Sequence, residues 1–309
     1  MSKGRRAAVD VGTNSVRLLV VESDGSRLAR ELAVTRLGQG VDETGHLDDD
    51  ALSRTLEVMA RYRRQWEELG AEDVRIAATS AVRDAADRDR FLSGVREVAG
   101  REPEILSGEE EALIAFRGAT TALDVPRPTA VLDVGGGSTE LIVGDADGDY
   151  AASVSLQLGC VRLTERLLPS DPPTATELAD ARAEMAAQLD RGAATLAEHG
   201  ADPEGCATLV GVAGTVTTLA ALHLGLDHYD HERVHGTCLP REALQRLARQ
   251  LGSLPAAERK QLGPVTPGRE DVIFGGALIV QGVLERFGFS ELIASEADSL
   301  DGLVLGRTE

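Results

Sequence analysis

Two similar stretches of the sequence place an aspartate, a glycine turn and a serine in the same order. "DVGTNSVRLLVVESDG" starts at Asp10, and "DVGGGSTELIVGDADG" starts at Asp133. Over sixteen aligned positions the two share Asp, Val, Gly, Ser, Leu, Val, Asp and Gly, which makes eight identities. This internal repeat predicts two domains that each open with the same strand, turn and strand.

The repeated turn has the residues of an anion-binding loop. Backbone amides in a glycine turn after a strand bind phosphate oxygens, and glycine lets the backbone approach the anion closely. Ser15 and Ser138 add a hydroxyl donor at equivalent positions. Asp10 and Asp133 would repel a phosphate unless a cation intervened, which predicts Mg²⁺ bound by carboxylate, water and phosphate oxygens. The alternative is a pair of tight β-hairpins with Asp at the turn.

A third glycine turn lies in "GVAGTVTTLA", at residues 211–220. Gly214 and Thr215 would bind a further phosphate at a helix N-terminus, or cap a helix packed in the core. No Gly-Lys-Ser/Thr follows either copy of the repeated turn, and the spacing of a dinucleotide-binding loop is absent. The sequence therefore predicts neither a P-loop nor a dinucleotide site.

Length and charge limit the classes of protein that fit. The chain has 309 residues, and at about 150 residues per domain it has room for two domains with separate cores. Its 42% hydrophobic and 27% charged residues are typical of a folded globular protein. The net charge of −19 argues against a broad nucleic-acid-binding surface. We therefore expect no nucleic-acid partner.

The cysteines and the apolar stretches indicate where in the cell the protein is expected. Cys160, Cys206 and Cys238 are scattered singly and odd in number, which favours a reducing cytoplasm. Residues 208–226 carry no formal charge, but their glycines and threonines favour a strand, a turn and a helix over a membrane span. Polar residues interrupt the apolar core that an N-terminal signal peptide needs. We expect no membrane association.

Alternating strand and helix signals indicate an α/β fold in both halves of the chain. Three strands over residues 7–37 precede a helix after Asp48, in which Leu52, Met59 and Trp66 recur at helical spacing. Residues 124–128 contain two prolines and are the predicted linker. The other predicted elements are strand 74–81, helix 84–99, strand 103–107, helix 108–123, strands 129–135 and 139–144, helix 174–198, strand 208–213 and the helix that follows it.

Several short motifs run along the chain in a fixed order. They are "DVGTNS" at 10–15, "ATSAVRDA" at 78–85, "ILSGEEEA" at 105–112, "LDVGGGSTEL" at 132–141, "LGCVRLTER" at 158–166, "GVAGTVTTLA" at 211–220, "EDVIFGGALIV" at 270–280 and "SLDGLVLG" at 299–306. The series resembles the exopolyphosphatase and guanosine pentaphosphate phosphatase family. The resemblance implies two ribonuclease-H-like domains of the actin, sugar-kinase and Hsp70 type around a central cleft, with the last helix returning to the first domain.

The resemblance also implies a catalytic base. In the family it is a glutamate of the "SGEEEA" motif, and alignment through the glycine loop places it at Glu111. The residue pattern has a second interpretation, because Ser107 and Glu110 fit a capping box and acidic residues stabilise a first helical turn. Under that interpretation, Glu109 and Glu110 stabilise the start of the helix.

Two further roles follow from the resemblance. Asp133 and Glu140 are assigned to the metal and water site, and Arg83 to phosphate contact. Glu140 stands in the second copy where Arg17 stands in the first. The two copies have therefore diverged at that position. This is expected if one side of the predicted cleft is catalytic and the other binds substrate.

The predicted site thus has three groups of residues. Glu111 and Glu140 are predicted to be catalytic. Asp10, Asp133 and Glu140 are predicted to bind Mg²⁺ or another divalent cation. The predicted phosphate-binding residues are Asn14, Ser15, Thr79, Ser80, Arg83, Gly135, Gly136, Gly137, Ser138, Gly214 and Thr215. The predicted domains are 1–123 with 296–309, and 124–295.

The implied reaction is hydrolysis of a terminal phosphoanhydride, with inorganic polyphosphate or guanosine pentaphosphate as substrate. One alternative is an ATP-dependent small-molecule kinase of the same fold, for which no base pocket or acceptor motif is found. Another is a non-catalytic alarmone-binding sensor, which intact catalytic carboxylates disfavour. The sequence leaves open whether the protein forms a homodimer. Longer family members carry additional C-terminal domains, so we expect short polyphosphates to be cleaved well and long chains not to be degraded processively.

Four histidines, at 223, 228, 231 and 235, leave two interpretations open. Their spacing of three and four residues would put a metal site on one face of a helix. Otherwise the segment is a solvated polar stretch.

Overall fold

The computed structural model describes residues 4–121 and 123–306. These residues belong to two units, Met1–Ile114 with Ser299–Glu309, and Ala115–Asp298. The predicted domain boundaries, at 123/124 and 295/296, stay a prediction, because a unit of dense internal contacts need not coincide with an independently folding domain.

The first unit is built on a five-stranded sheet in the order β3-β2-β1-β4-β5. β1 pairs antiparallel with β2, and β2 with β3, whereas β4 is parallel to β1 and β5 to β4. Three hairpin strands followed by parallel strands on the other side of the first strand are the topology of a ribonuclease-H-like domain. The strands are β1 (Arg5–Val11), β2 (Ser15–Val21), β3 (Arg27–Val34), β4 (Ala71–Ala78) and β5 (Glu104–Ile105).

The second unit repeats this topology. Its six-stranded sheet has the order β10-β11-β9-β6-β7-β8, and β10 is an added antiparallel strand at one edge. The remaining five correspond one by one to the strands of the first sheet, since β6, β7 and β8 are antiparallel and β9 and β11 are parallel to β6. The predicted α/β fold with two ribonuclease-H-like domains is confirmed. These strands are β6 (Thr129–Val134), β7 (Thr139–Gly144), β8 (Tyr150–Leu156), β9 (Thr208–Val212), β10 (Cys238–Pro240) and β11 (Glu291–Ala294).

Helices cover the sheets, and no helix within residues 4–121 and 123–306 is long and apolar enough to span a bilayer. They are α1 (Val41–Thr44), α2 (Asp49–Glu68), α3 (Ser80–Asp84), α4 (Arg88–Ala99), α5 (Gly108–Thr121), α6 (Cys160–Leu167), α7 (Ala175–Glu198), α8 (Ala213–His223), α9 (His231–Val234), α10 (Arg241–Ser253), α11 (Ala256–Arg259), α12 (Ile273–Arg286) and α13 (Ser299–Leu305).

The periodic helix after Asp48 is confirmed as α2. The Asp48 side chain accepts a hydrogen bond from the Ala51 amide at 2.9 Å and thereby caps the helix. Its apolar residues Met59, Tyr62 and Trp66 are buried against one face of the first sheet. The helix thus fixes the sheet that carries the first glycine turn.

The opposite face of the first sheet is covered by α13. Leu300, Leu303 and Val304 of this helix pack on Ala8 and Leu19 of β1 and β2. The helix therefore returns to the first unit, as the resemblance implies.

The segment after β4 differs from the prediction. The sequence predicts a strand over 74–81 and a helix over 84–99, but α3 begins two residues after β4 and α4 follows only after a break. The break has a backbone cause, because the Ala86 amide donates to the Gly45 carbonyl at 2.8 Å and so leaves the helical path. Arg83 consequently lies on α3 and not at the end of a strand.

Other predicted elements are shorter in the structure, and of the strand predicted over 103–107 only Glu104–Ile105 forms, as β5. The third strand, predicted to reach residue 37, ends at Val34. The helix predicted over 108–123 is α5, which ends at Thr121, and residue 122 lies outside the described residues.

We expect Gly302→Ala to destabilise the protein by about 1–3 kcal/mol, the usual cost of overpacking. A Cβ on Gly302 in α13 would overlap the Ile114 backbone carbonyl, which cannot move as a side chain can. Gly94→Ala in α4 is the control, because its Cβ would meet only the end of the Leu56 side chain, at 2.7 Å. Thermal unfolding measures both variants. Equal stability of the two would contradict this account of the α13 contact.

Candidate functional site

The two glycine turns have the same backbone geometry. The Gly12 amide donates to the Ser15 carbonyl at 3.0 Å, and the Gly135 amide donates to the Ser138 carbonyl at 3.0 Å. Each turn joins the first two strands of its unit. The repeat in the sequence is therefore a repeat in structure.

The second turn is held by the first turn of α6. The Cys160 amide donates to the Gly135 carbonyl at 3.0 Å, and the Val161 amide donates to the Gly136 carbonyl at 2.9 Å. Gly159, at the N-cap of α6, lies so close that a Cβ there would overlap the Gly136 carbonyl. The Gly135 and Gly136 carbonyl oxygens thus accept hydrogen bonds from α6 amides.

The first turn is held in the same way. The Thr35 and Arg36 amides donate to the Asn14 carbonyl at 3.1 and 3.0 Å, and the Gly38 amide donates to the Thr13 carbonyl at 2.9 Å. These bonds turn the chain away from β3, and Arg36 adopts a φ of 55°. This is the physical reason why the predicted third strand ends early.

Sequence reasoning missed the glycines that support the turns. A Cβ on Gly38 would overlap the Thr13 side chain, as one on Gly159 would overlap the second turn. The signal was present, because a Leu-Gly pair follows the third strand of each copy, at 37–38 and at 158–159. The repeat thus extends beyond the hairpins.

The turns keep polar groups available for a ligand. Among the residues that the structure describes, the Gly136 and Gly137 amides donate to no backbone carbonyl. In the first turn, the buried Oδ1 of Asn14 has no hydrogen-bond partner. Buried polar atoms in proteins are normally hydrogen-bonded, so these groups indicate a polar ligand.

The aspartate of the first turn is part of an ion pair. Asp10 and Arg17 are directly opposite each other on β1 and β2 and form a salt bridge. Ser299, the first residue of α13, donates to Asp10 Oδ2 at 3.1 Å and lies 2.7 Å from Arg17 Nη2. Asp10 is only 6% exposed, so its charge is balanced within the protein. To bind a metal ion as predicted, Asp10 would have to exchange its contacts with Arg17 and Ser299 for a contact with the metal.

The second turn has a carboxylate in place of the arginine. Asp133 and Glu140 are directly opposite each other on β6 and β7, and they are 7% and 1% exposed. Two carboxyl groups at directly opposite positions of a hairpin place their oxygens on the same face of the sheet. Ser155 of β8 donates a hydrogen bond to Glu140 Oε1 at 2.8 Å.

A divalent cation fits this carboxylate pair. Across residues 4–121 and 123–306, no group of three or more His, Cys, Asp or Glu side chains could hold a metal ion. Mg²⁺ commonly uses one or two carboxylates and takes its other ligands from water and substrate phosphates. Asp133 and Glu140 have the chemistry of such a pair.

The predicted base and the predicted phosphate-binding arginine contact each other in the first unit. Arg83 Nη1 donates to Glu111 Oε2 at 3.1 Å and to the Leu106 carbonyl at 3.0 Å. Glu111 is 9% exposed. The two residues come from α3 and α5, which the sequence separates widely.

The neighbouring acidic residues of α5 have the structural role that the capping pattern predicts. Ser107 Oγ accepts from the Glu110 amide at 3.2 Å, and Glu110 Oε2 accepts from the Ser107 amide at 2.9 Å. Glu109 is exposed. The capping-box prediction is confirmed, and it separates Glu110 from Glu111.

Thr79 and Ser80 connect α3 to the first glycine turn. The Thr79 amide donates to the Val11 carbonyl at 3.2 Å. The Ser80 and Thr13 hydroxyls are 2.9 Å apart and share a hydrogen bond. The structure thus links the first turn, α3 and Glu111 through direct contacts within one unit.

The third glycine turn lies at the start of α8. Thr215 Oγ1 donates to the Val134 carbonyl at 3.2 Å and so ties α8 to the end of β6. Ala213 has a φ of 63°, a strained conformation for a residue with a side chain. The Arg269 guanidinium occupies the space that a Cβ on Gly214 would take. Arg269 is a candidate anion-binding residue that no sequence motif had indicated.

The structure supports neither Cys160 as a nucleophile nor a helical metal site in the histidine-rich segment that it describes. Burial raises the pKa of the Cys160 thiol, and Arg269 only partly offsets this effect, so the thiol is a poor nucleophile. In the histidine-rich segment, α9 spans only four residues. His235 Nδ1 accepts from the Glu296 amide at 3.2 Å, which is a structural contact.

Comparison with known proteins gives consistent results. The Ppx/GppA phosphatase family model matches residues 19–309. Exopolyphosphatase 2 of Mycobacterium tuberculosis is 40% identical over 323 residues, which cover 99% of this chain and 99% of that protein. The crystal structure of an exopolyphosphatase-like protein is similar with a TM-score of 0.93 and 36% identity, and covers 98% of both chains. The Aquifex aeolicus PPX-GPPA enzyme has a TM-score of 0.80 and 31% identity, over 98% of this chain and 99% of that one.

We expect Gly159→Ala to weaken tripolyphosphate binding by about 10–100-fold, because the added methyl group must displace the second glycine turn. Isothermal titration calorimetry in Mg²⁺ measures the affinity. Gly205→Ala is the matched control, since its Cβ would be 3.7 Å from Asp202 Oδ2, an ordinary contact. Unchanged affinity in the Gly159 variant would show that the turn does not bind phosphate.

Proposed function

The chain belongs to the Ppx/GppA phosphatase family, and we propose that it is an exopolyphosphatase. It hydrolyses the terminal phosphoanhydride bond of inorganic polyphosphate and releases orthophosphate. The name and full-length similarity of the Mycobacterium tuberculosis relative support this substrate.

One observation carries the proposal. The same hairpin has a neutralised Asp10–Arg17 pair in the first unit and a buried Asp133–Glu140 pair in the second. A pair of carboxylates beside a glycine turn supplies the oxygen ligands that Mg²⁺ prefers, and Mg²⁺ together with phosphate is the combination that a phosphoanhydride hydrolase uses.

The proposed roles of the second-unit residues follow from their chemistry. Asp133 and Glu140 bind Mg²⁺, and the Gly136 and Gly137 amides bind phosphate oxygens. When bound, Mg²⁺ supplies positive charge that balances the phosphate oxygens and the two carboxylates. Glu140 in addition orients water at the metal site.

The first-unit residues are proposed to handle the proton and the substrate. Glu111 accepts a proton from the attacking water, whose oxygen forms a bond to the terminal phosphorus. The bond from this phosphorus to the bridging oxygen breaks, and the shortened chain leaves with the electron pair. Arg83 donates a hydrogen bond to Glu111 at 3.1 Å and thereby holds the carboxylate in position. Arg83 also offers its guanidinium to phosphate.

Guanosine pentaphosphate is the second substrate in this proposal, because it also ends in a phosphoanhydride. Phosphate release from polyphosphates of several lengths, guanosine pentaphosphate and ATP, assayed in parallel, distinguishes the substrates. We also propose a cytoplasmic location, which the three free cysteines favour. Sedimentation analysis distinguishes a monomer from a homodimer.

We predict that Glu111→Gln lowers kcat by about 10²–10⁴-fold, the usual contribution of a positioned general base. The amide has nearly the same shape as the carboxylate but cannot accept the proton. Steady-state phosphate release from a short polyphosphate measures the effect, with circular dichroism to confirm folding.

Glu109→Gln is the control for this experiment. Glu109 is exposed in the same helical turn and lies one residue away from the capping box. It should keep wild-type kcat. Equal losses in both variants would mean that the base is misassigned.

We also predict that chelation abolishes activity. Without a cation, Asp133 and Glu140 would face a polyanion, and unscreened like charges repel strongly at low dielectric. Activity is measured after exhaustive EDTA treatment and again after addition of Mg²⁺ or Mn²⁺. Full activity in the chelated protein would refute the metal site.

A further inference from the structure

Ser155 lies directly opposite Glu140 in the second sheet. The two residues are register partners on β8 and β7, and the Ser155 hydroxyl donates to Glu140 Oε1 at 2.8 Å. Asp133 is opposite Glu140 on its other side. The three residues therefore form one row across β6, β7 and β8.

The equivalent row in the first sheet has different chemistry. Asp10 is opposite Arg17, and Arg17 is opposite Leu32 of β3, whose side chain is 38% exposed. The fold therefore does not require a hydroxyl at this place in the row. A serine occurs in the copy where the central residue is a glutamate, and a leucine occurs where it is an arginine.

The hydrogen bond from Ser155 restricts the orientation of the Glu140 carboxylate. Glutamate has three side-chain torsions, and its terminal torsion is broad, so backbone position alone does not set the carboxylate plane. Glu140 is 1% exposed, and water can therefore contribute little to holding that plane. The Ser155 hydroxyl, which donates to Glu140 Oε1 at 2.8 Å, holds the terminal torsion of Glu140 and keeps Oε1 turned towards β8.

We propose that Ser155 is a positioning residue, which holds the Glu140 carboxylate in the orientation that binds the divalent cation. This inference deepens the proposed function and rests on its assignment of Glu140 to the metal site. Ser155 itself contacts neither substrate nor metal in this role. Loss of an outer partner of a metal ligand typically lowers metal affinity or activity by about 10–100-fold.

Three variants test the proposal. Ser155→Ala removes the donor, Ser155→Thr keeps a hydroxyl on a residue that suits a strand, and Ser153→Ala is the matched control. Ser153 is a half-buried serine on the same strand that is hydrogen-bonded to Tyr150 at 2.8 Å. Thermal unfolding of each variant monitors the fold.

The main measurement is Mn²⁺ binding to the substrate-free protein, followed by electron paramagnetic resonance. Ser155→Ala should weaken Mn²⁺ binding by about 10–100-fold, whereas Ser155→Thr should stay within about threefold of wild type. In phosphate release, Ser155→Ala should lower kcat at fixed Mg²⁺ with little change in KM for a short polyphosphate, and higher Mg²⁺ should restore part of it. Ser153→Ala should match wild type in both assays.

Several results would overturn the proposal. Wild-type Mn²⁺ affinity in Ser155→Ala would show that the hydrogen bond does not orient a metal ligand. Equal defects in Ser155→Ala and Ser155→Thr, or in Ser155→Ala and Ser153→Ala, would indicate strand packing as the cause. If the wild-type protein releases no phosphate from any polyphosphate, the proposed function fails, while the Mn²⁺ measurement still decides the role of Ser155.

Discussion

Each glycine turn depends on backbone amides that donate to its carbonyl oxygens from the segment after the third strand. A carbonyl oxygen that faced an anion would repel it, so these bonds set which side of the turn a phosphate can approach. They form only if the supporting segment comes into backbone contact, which Gly38 and Gly159 permit because they have no side chain. The position of β3, β8 and α6 thus follows from the requirements of two short turns.

On this shared framework the two units differ in charge. Arg17 gives the first unit a cation that is covalently part of the protein, whereas Asp133 and Glu140 give the second unit two buried carboxyl groups. The guanidinium balances Asp10 from within the protein, whereas a pair of carboxylates suits the binding of a metal ion. The two rows share their aspartate and differ at the next two positions, Arg17 against Glu140 and Leu32 against Ser155, while the order of the five corresponding strands stays the same.

Local patterns in the sequence predict the hairpins, α2 and the capping box of α5, because each depends on residues a few positions apart. The contact of Arg83 with Glu111 and that of Ser155 with Glu140 depend on how separate elements pair, and a single sequence does not carry the register of that pairing. The α3–α4 break was missed for the same reason, since its cause is a distant carbonyl. The family resemblance supplied Glu111 and Glu140 as site residues, and the repeated turn had already indicated Asp133. Nothing in the sequence distinguished Ser155 from Ser153, the other serine of β8.

Helix α13 belongs to the first unit, although residues 115–298 precede it in the chain. A ribosome therefore delivers every residue of the second unit before it delivers Leu300 and Leu303, which cover one face of the first sheet. Until then, Ala8 and Leu19 of the nascent first unit lack their apolar cover, and such surfaces promote aggregation during synthesis. The unit whose synthesis starts first is thus the last that can complete its core.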